Sequence, residues 1–176
     1  DIAIYNGTNS LATYPRVIGH EFCGEVIEIG SGVSKISQGD IVAVDPVISC
    51  GSCYACTHGH HNVCETLIVS GVHSDGGFSE YYLAKENNCH IFNASNLDKE
   101  FAALVEPYSI GCEINNRARV SEEDFVVVMG SGPIGITAMQ VAKSRNAKVL
   151  MTDLLDSRLD RAKKMGADWI VNVANE

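Results

Sequence analysis

The sequence has no long apolar run and no excess of basic residues. No apolar stretch approaches the roughly 20 residues that a membrane-spanning helix requires, so we expect no association with a membrane. The formal net charge is −9, and no basic stripe is present to replace counterions on phosphate, which argues against nucleic acid as a partner. The first residues also lack a basic segment followed by an apolar one, so no secretory signal is visible.

Length and composition are those of an ordinary globular protein. The 176 residues allow one domain or two small ones, and 45% of them are hydrophobic and 20% charged. The chain opens at Asp1 without a methionine, and residues 168–173 have the pattern of a strand with almost nothing after it. We therefore expect the sequence to be a fragment of a longer protein.

Four of the seven cysteines form the strongest pattern in the chain. Cys50, Cys53, Cys56 and Cys64 have the spacing C-x2-C-x2-C-x7-C. Tetrahedral zinc is bound by four thiolates at ~2.3 Å, and two-residue gaps let one tight loop wrap around the metal. The alternative is two disulfides, which would need a secreted protein. The pattern predicts a closed structural zinc site in a protein of the reducing cytoplasm. The other cysteines are expected to be buried structural thiols: Cys23, Cys89 and Cys112.

Residues 17–93 predict a β-rich module, a small barrel or partly open sheet. Short alternating or apolar segments are separated by glycine turns, as in strands of such modules. The expected strands are residues 24–29, 41–44, 66–72 and 78–84.

The pattern changes after Leu97 to that of a parallel α/β unit. Residues 98–118 have apolar residues at helical spacing, interrupted by Pro107. Strand, helix, strand, helix and strand then follow at residues 125–129, 133–146, 147–152, 157–165 and 168–173. We therefore predict two modules, a β-rich one over residues 1–107 and an α/β one over residues 108–176.

A glycine motif follows the strand 125–129 directly and opens a helix. In the pattern Gly130-x-Gly132-x-x-Gly135, the glycines allow a tight turn, the approach of a pyrophosphate and close helix packing. Asp153 follows 23 residues after Gly130, where a carboxylate accepts hydrogen bonds from ribose and disfavours a 2′-phosphate. The motif predicts NAD rather than NADP, although Arg158 could meet a phosphate. The predicted nucleotide-binding residues are Gly130, Gly132, Pro133, Ile134, Gly135, Asp153 and Arg158.

Three further residues are candidate ligands of a second metal. His20 and Glu21 are adjacent after Gly19, and Glu106 lies near the predicted boundary between the modules. A histidine and carboxylates with an open position suit a catalytic zinc. Taken singly, a histidine such as His20 is more often a satisfied core residue, and glutamates such as Glu21 and Glu106 are more often solvated charges.

Taken together, these motifs resemble those of the zinc-containing medium-chain alcohol dehydrogenases. The resemblance covers nearly the whole chain in the family's order, and within the family it is greatest to the polyol and sugar-acid dehydrogenases. The residues that carry it are Tyr14–Glu21, the four cysteines, the segments 71–73 and 76–81, Glu106-Pro107 and the glycine motif.

The resemblance implies a GroES-like catalytic domain followed by the first half of a doubly wound Rossmann domain, with the active site in the cleft between them. The first domain would hold both zincs and the second NAD. His20 and Glu106 would be ligands of the catalytic zinc, and Glu21 an adjacent carboxylate able to approach the metal. Asp1 would orient His20 and increase its basicity.

The implied reaction is the transfer of a hydride from a secondary alcohol, a polyol or sugar acid, to NAD. The resemblance also implies a homo-oligomer, a dimer or tetramer, when the protein is intact. A threonine-dehydrogenase-like enzyme and a non-catalytic zinc-binding or regulatory protein of the same fold are the alternatives.

The sequence departs from the family pattern in two respects. The family's cysteine ligand and its proton-accepting serine or threonine would precede Asp1, and the C-terminal half would follow this chain, so we expect the chain alone to be inactive. Many relatives also carry a histidine in a proton relay at the position of Ala3. Here water replaces it, turnover is slower, or the substrate differs.

Overall fold

The computed structural model describes residues 1–175, and the chain divides into two compact units, Asp1–Glu106 and Pro107–Glu176. None of the helices in this described range combines the length and apolar character needed to cross a membrane.

The first unit is built from short elements joined by long turns. Its helices and strands are α1 (Ile2–Tyr5), β1 (Cys23–Glu25), β2 (Ile41–Val44), β3 (Val47–Ile48), α2 (Tyr54–Thr57), β4 (Ile68–Val69) and β5 (Cys89–Ile91). Short 3-10 helices cover His61–Val63, Glu86–Asn88 and Lys99–Leu104. One antiparallel sheet has the order β1-β2-β5, and a second consists of β3 and β4.

Three of the predicted strands in this unit are shorter than expected or absent. β1 ends at Glu25: the Val26 N–H still donates to Asp40, the next residue in the register of the neighbouring strand, but the bond to the Val26 carbonyl comes from Gly39 in the turn before β2. After β4 the amides of Val72 and His73 both bond to the carbonyl of Val69, which closes a turn. Residues 78–84 form no strand, whereas β2 coincides with the predicted strand 41–44. Alternation of polar and apolar residues therefore indicates extended backbone here, but it does not indicate which segments pair with a neighbouring strand.

The core of the first unit is small. Its buried residues are Ile36, Val42 and Val44, and the rings of Phe22 and Tyr82 pack against them. The two rings contact each other edge to face, with their centroids 4.8 Å apart. Polar contacts between its loops therefore contribute much of the stability of this unit.

The second unit is a regular parallel α/β structure. Its elements are α3 (Val105–Ala118), β6 (Phe125–Met129), α4 (Pro133–Ser144), β7 (Lys148–Asp153), α5 (Asp156–Lys164) and β8 (Trp169–Asn172). The first two residues of α3 belong to the first unit. The sheet order is β6-β7-β8 with parallel pairing throughout. These elements follow the predicted order. The expected break at Pro107 is wrong: α3 begins at Val105, and a proline in the first turn loses no helical hydrogen bond.

Apolar side chains from the helices and strands of this unit form a continuous core. Its buried members are Ile136, Met139, Ala142, Ala147, Val149, Met151, Ala162 and Ala167. α3 packs closely on α4 at Gly111: a Cβ on this glycine would lie only 2.9 Å from the carbonyl of Thr137. The buried amide of Asn115 also donates to the carbonyl of Ala138 at 2.9 Å.

Parallel pairing brings the carboxyl ends of β6 and β7 to the same edge of the sheet. Met129 lies opposite Thr152 in the register, and the Gly130 N–H donates to the carbonyl of Thr152 at 2.8 Å. The glycine turn after β6 therefore lies beside Asp153, which ends β7.

Candidate functional site

The four predicted zinc ligands converge in one loop of the first unit. The Sγ atoms of Cys50, Cys53, Cys56 and Cys64 all lie within 4.8 Å of one another. Zinc at ~2.3 Å from each sulfur of a tetrahedron requires sulfurs roughly 3.8 Å apart. The Sγ atoms of Cys50 and Cys56 are 3.9 Å apart, and all seven cysteines are free thiols. The arrangement fits a tetrahedral metal and is not a pair of disulfides.

Backbone amides of the loop point at the sulfurs. Cys50 Sγ accepts hydrogen bonds from the N–H groups of Ser52 and Cys53, at 3.4 and 3.3 Å, which lower the pKa of Cys50 to about 5. The Cys50 N–H donates to Cys64 Sγ at 3.3 Å and lowers the pKa of Cys64. Burial raises the pKa of Cys56 to about 11. Two of the thiols thus favour the thiolate that a metal binds, and the charge of a cation would favour it in the third.

The remaining cysteines are less buried than predicted. Cys23 and Cys89 are partly exposed and Cys112 is exposed, on α3. Cys112 is exposed although its helical neighbours Gly111 and Asn115 are buried, and helical spacing alone does not show which residues of α3 contact α4.

His20 is held by Asp1, as the family resemblance implied. One oxygen of Asp1, Oδ1, lies 3.0 Å from His20 Nδ1 and accepts the Gly19 N–H at 3.1 Å. A carboxylate only accepts hydrogen bonds, so Nδ1 carries the proton and the lone pair of the imidazole is on Nε2. The pair therefore presents Nε2 as a metal-binding atom.

A loop at residues 71–78, here called the glycine loop, packs against the backbone that precedes His20. Gly19 is buried with φ +105°, and a Cβ there would lie 2.4 Å from the ring of Phe78. A Cβ on Gly76 would lie 2.1 Å from the carbonyl oxygen of Gly19. Only glycine allows this approach, which explains the glycines in this part of the sequence.

Glu106 lies within electrostatic range of the other predicted ligands. Its partial burial raises its pKa, the neighbouring His20 opposes this rise, and Glu21 and Asp45 add to it. Among residues 1–175 only the four cysteines bring three or more ligand atoms this close together, so His20, Glu21 and Glu106 do not converge to the same degree.

The glycine turn of the second unit has the geometry that a dinucleotide needs. Gly130 has φ +100°, and a Cβ on Gly135 would lie 1.9 Å from the carbonyl oxygen of Gly130. Gly132 caps α4, Pro133 is its first residue, and the first intrahelical bond runs from the Ile136 N–H to Gly132. The amides before Ile136 are thus available to phosphate oxygens at the positive end of the helix.

Asp153 has a second task that sequence analysis missed. Its Oδ2 accepts the Ser131 N–H at 2.8 Å, and its Oδ1 accepts the amides of Leu154 and Leu155 at 2.8 and 3.1 Å. The Ser131 bond is the largest cause of the lowered pKa of Asp153. Arg158 Nη1 lies 3.7 Å away from Oδ2. The carboxylate therefore fixes the glycine turn to β7. The sequence offered no signal for the bond to Asp153, because that bond involves only the backbone N–H of Ser131.

Two family models match the sequence. The model of the alcohol dehydrogenase GroES-like domain matches residues 1–94, and that of the zinc-binding dehydrogenases matches residues 133–176. The fold and the cysteine loop are those of a zinc-binding dehydrogenase. The chain belongs to the zinc-binding alcohol dehydrogenase family.

Curated relatives are similar over nearly all of the chain. The starvation-sensing protein RspB of Escherichia coli K12 is 47% identical over 174 residues, which are 98% of this chain and 51% of that protein. L-galactonate-5-dehydrogenase of the same organism is 40% identical, over 90% of this chain and 46% of that protein. The chain thus spans about half the length of the curated relatives it matches.

Solved structures show the same fold. A crystal structure of rspB from E. coli CFT073, complexed with NADH, superposes with a TM-score of 0.91 at 44% identity, over 98% of this chain and 51% of that one. Galactitol-1-phosphate dehydrogenase from E. coli gives a TM-score of 0.89 at 32% identity, over 96% of this chain and 49% of that one. The predicted family and the predicted fold class, a GroES-like domain followed by a parallel sheet of Rossmann type, are confirmed.

Proposed function

We propose that the whole protein is a zinc- and NAD-dependent dehydrogenase that oxidises a secondary hydroxyl group of a polyol or sugar acid. The observation that carries this proposal is the contact between His20 and Asp1, which leaves the imidazole Nε2 available to a metal. A histidine used only for packing would not need a carboxylate that fixes its tautomer. The names of the relatives, among them L-galactonate-5-dehydrogenase and a sorbitol dehydrogenase from Bacillus subtilis, support the substrate class.

Each cofactor supplies one part of the chemistry. His20 and Glu106 would hold a zinc, which would supply the Lewis acid that lowers the pKa of an alcohol. The glycine turn would hold NAD, which would supply the hydride acceptor. The NADH in the rspB structure supports this cofactor, and the carboxylate of Asp153 favours it over NADP.

The residues of the first unit prepare the metal site. Asp1 holds His20 and increases its basicity through Nδ1, so that Nε2 is a stronger donor. Glu106 is half-buried, and a cation beside it would stabilise the carboxylate that burial disfavours. Glu21 adds a further negative charge in range of Glu106, which suits a site that exchanges its ligands.

The residues of the second unit prepare the nucleotide site. Gly130 and Gly135 allow the turn and α4 to come together, and Asp153 fixes the turn through Ser131. Pyrophosphate would contact the amides of Gly132, Ile134 and Gly135. Arg158 is half-exposed beside Asp153, where it can contact the adenosine ribose.

Two alternatives remain distinguishable by experiment. An L-threonine 3-dehydrogenase from Pyrococcus horikoshii is 38% identical over 163 residues, so threonine belongs in any substrate panel. A non-catalytic zinc protein would need the cysteine loop but neither the His20–Asp1 pair nor the glycine turn. Both are present, which favours the enzyme.

The proposal extends to the cellular location, the domain organisation and the partners of the protein. The free thiols support a reducing cytoplasm. We further propose GroES-like and NAD-binding domains divided near Pro107, small-molecule substrates, and a homo-oligomeric dimer or tetramer.

The test begins with the number of zinc ions bound to the purified chain, measured by native mass spectrometry. We expect two zincs in the unchanged chain and one in His20→Ala. His90→Ala is the matched control, because His90 is an exposed histidine on β5 that pairs opposite Ala43. The whole protein is then assayed with NAD against polyols, sugar acids and threonine.

The results separate the alternatives. Loss of one zinc and of NAD reduction in His20→Ala, but not in His90→Ala, supports the proposal. Retention of two zincs in His20→Ala contradicts the assigned ligand. Zinc binding without any reduction of NAD favours the non-catalytic alternative.

A further inference from the structure

Arg16 makes an ion pair that neither the metal sites nor the nucleotide site requires. Its side chain is only 13% exposed, and its Nη1 donates to Asp75 Oδ1 at 3.1 Å. Nη2 donates to Thr13 Oγ1 at 2.7 Å. Nε is buried and has no hydrogen-bond partner in the described part of the chain. A contact selected for stability alone would not leave a buried donor unpaired.

Asp75 connects this arginine to the backbone that leads to His20. The same Oδ1 atom that accepts from Arg16 also accepts the Val17 N–H at 3.1 Å. Asp75 begins the second half of the glycine loop, and three amides beyond it continue the connection. They donate from Gly76 to Val17, from Gly77 to Gly19 and from Phe78 to Ile18, at 2.8 to 2.9 Å.

The packing leaves no room for this connection to shift without moving His20. The glycine loop touches Gly19 directly, at distances that exclude even a methyl group on Gly19 or Gly76. Gly19 and His20 in turn share Asp1 Oδ1 as their acceptor. Because such contacts are close-packed, a displacement of Asp75 reaches the imidazole through two short segments of backbone.

We infer that Arg16 is a positioning residue for His20, acting through Asp75 and the glycine loop. The planar guanidinium contacts Thr13 and Asp75 from two nitrogens, and so fixes Asp75 relative to the segment 16–19. A lysine carries the charge but not the fork, so it cannot hold both partners in one geometry. The link to a metal rests on the proposed function, whereas the effect on the His20–Asp1 contact does not.

The first measurement is the tautomer and hydrogen bonding of His20 in the 15N-labelled, zinc-loaded chain, read from the ring nitrogen shifts by NMR. We expect the Nδ1–H signal to weaken in Arg16→Lys and in Asp75→Asn. In the double variant the change equals that of either single one, because both act on one contact. Arg117→Gln is the control, since Arg117 pairs with Glu113 on the exposed surface of α3 and leaves His20 unchanged.

The second measurement is the affinity for Zn²⁺ alone at the His20 site, by titration against a competing chelator. We expect Arg16→Lys to weaken it roughly 3- to 10-fold, less than the 10- to 100-fold typical of a residue that contacts a ligand directly, such as Asp1. Zinc retained by the cysteine loop shows that the variant is folded.

The outcomes distinguish the two proposals. Unchanged His20 shifts in Arg16→Lys and Asp75→Asn, or additive changes in the double variant, overturn the role of Arg16 even if zinc binds at His20. Altered shifts in a chain that binds no zinc at His20 support the role of Arg16 and contradict the metal site.

Discussion

The two units of the chain are stabilised by different means. In the second unit three parallel strands and two helices enclose a continuous apolar core, from Ile136 to Ala167. In the first unit the strands have four residues or fewer, and three side chains form the buried cluster. Carboxylates that accept backbone amides hold loops in both units, but in the first unit the apolar core beside them is small. The carboxylates of the first unit are Asp1, Asp75 and Glu86.

This difference matches the function proposed for each unit. A nucleotide turn needs a rigid edge of a sheet, which apolar packing provides. A metal site needs polar side chains brought together from distant parts of the sequence, and apolar packing does not favour that. The first unit thus depends on charge and metal, and the second on buried area, so their sensitivities to chelation, truncation and pH should differ.

The largest expected effect is loss of the loop zinc. Structural zinc contributes an apparent ~10–16 kcal/mol in zinc-finger peptides. Cys56→Ser removes a buried ligand from the cysteine loop. We expect the zinc count to fall by one and amide exchange to become fast across residues 50–64 but not in the second unit, as measured by hydrogen–deuterium exchange.

The control for this change is Cys112→Ser, which alters an exposed thiol outside the loop. It should leave both zinc content and exchange unchanged. Slow exchange across residues 50–64 in Cys56→Ser, or after chelation, would show that the loop holds itself without metal.

The second largest expected effect is that of shortening a buried side chain in the core of the second unit. Met151 on β7 is 0% exposed, and Met129 on the neighbouring strand is 88% exposed, so the same substitution can be compared at both. We expect Met151→Ala to lower the free energy of unfolding by about 2–5 kcal/mol, because it removes buried methylenes and leaves a cavity. Met129→Ala should change it by less than about 0.5 kcal/mol.

Urea denaturation followed by the fluorescence of Trp169, the one tryptophan of the chain, measures this difference. Trp169 is on β8 of the same sheet and packs near Phe125, with ring centroids 5.1 Å apart. Equal effects of the two substitutions would mean that the second unit lacks the fixed core inferred here.

Glycine substitutions separate stability from nucleotide binding. A methyl group on Gly135 meets the carbonyl oxygen of Gly130, whereas one on Gly132 meets nothing within 4 Å. We expect Gly135→Ala to destabilise the unit by about 1–3 kcal/mol and to weaken NADH binding. Gly132→Ala should weaken NADH binding with little loss of stability, since its Cβ would face the pyrophosphate.

NADH fluorescence titration and thermal unfolding of the same samples test this pair. If the Gly132→Ala variant binds NADH as tightly as the unchanged chain does, the pyrophosphate does not bind at this turn.

The second unit was predictable from sequence in more detail than the first. Strand 125–129 was placed to the residue, because a short apolar run between a charged turn and a glycine motif leaves few alternatives. In the first unit the predicted strand 66–72 is only two residues long and the predicted strand 78–84 does not form. Whether such segments become strands depends on hydrogen bonds to distant parts of the sequence. The four cysteines were predicted from their spacing, and His20, Glu21 and Glu106 from the family resemblance. Asp75, Arg16 and Ser131 make tertiary contacts that spacing does not encode.

The smallest expected effect is electrostatic and lies in the second unit. Asp168 is 19% exposed and accepts hydrogen bonds from Lys143 Nζ, at 2.7 and 3.0 Å, and from the Val149 N–H. The Lys143 bond is the main reason that the pKa of Asp168 is lowered. A lowered pKa in the folded state stabilises the protein above the ordinary carboxyl pKa of about 3.9 and ceases to do so as the pH falls below it.

Asp168→Asn keeps an acceptor for Val149 but removes this charge. We expect it to lower stability by about 1 kcal/mol at pH 7, since the pair is partly exposed. The difference from the unchanged chain should shrink as the pH falls from 5 to 2, measured by urea unfolding at each pH. The other carboxylates with lowered pKa, Asp124, Asp153 and Glu86, are the same in both chains and cancel. A difference that stays constant down to pH 2 would assign the effect to the shape of the side chain rather than to its charge, and would show that the second unit depends on packing even at its ion pairs.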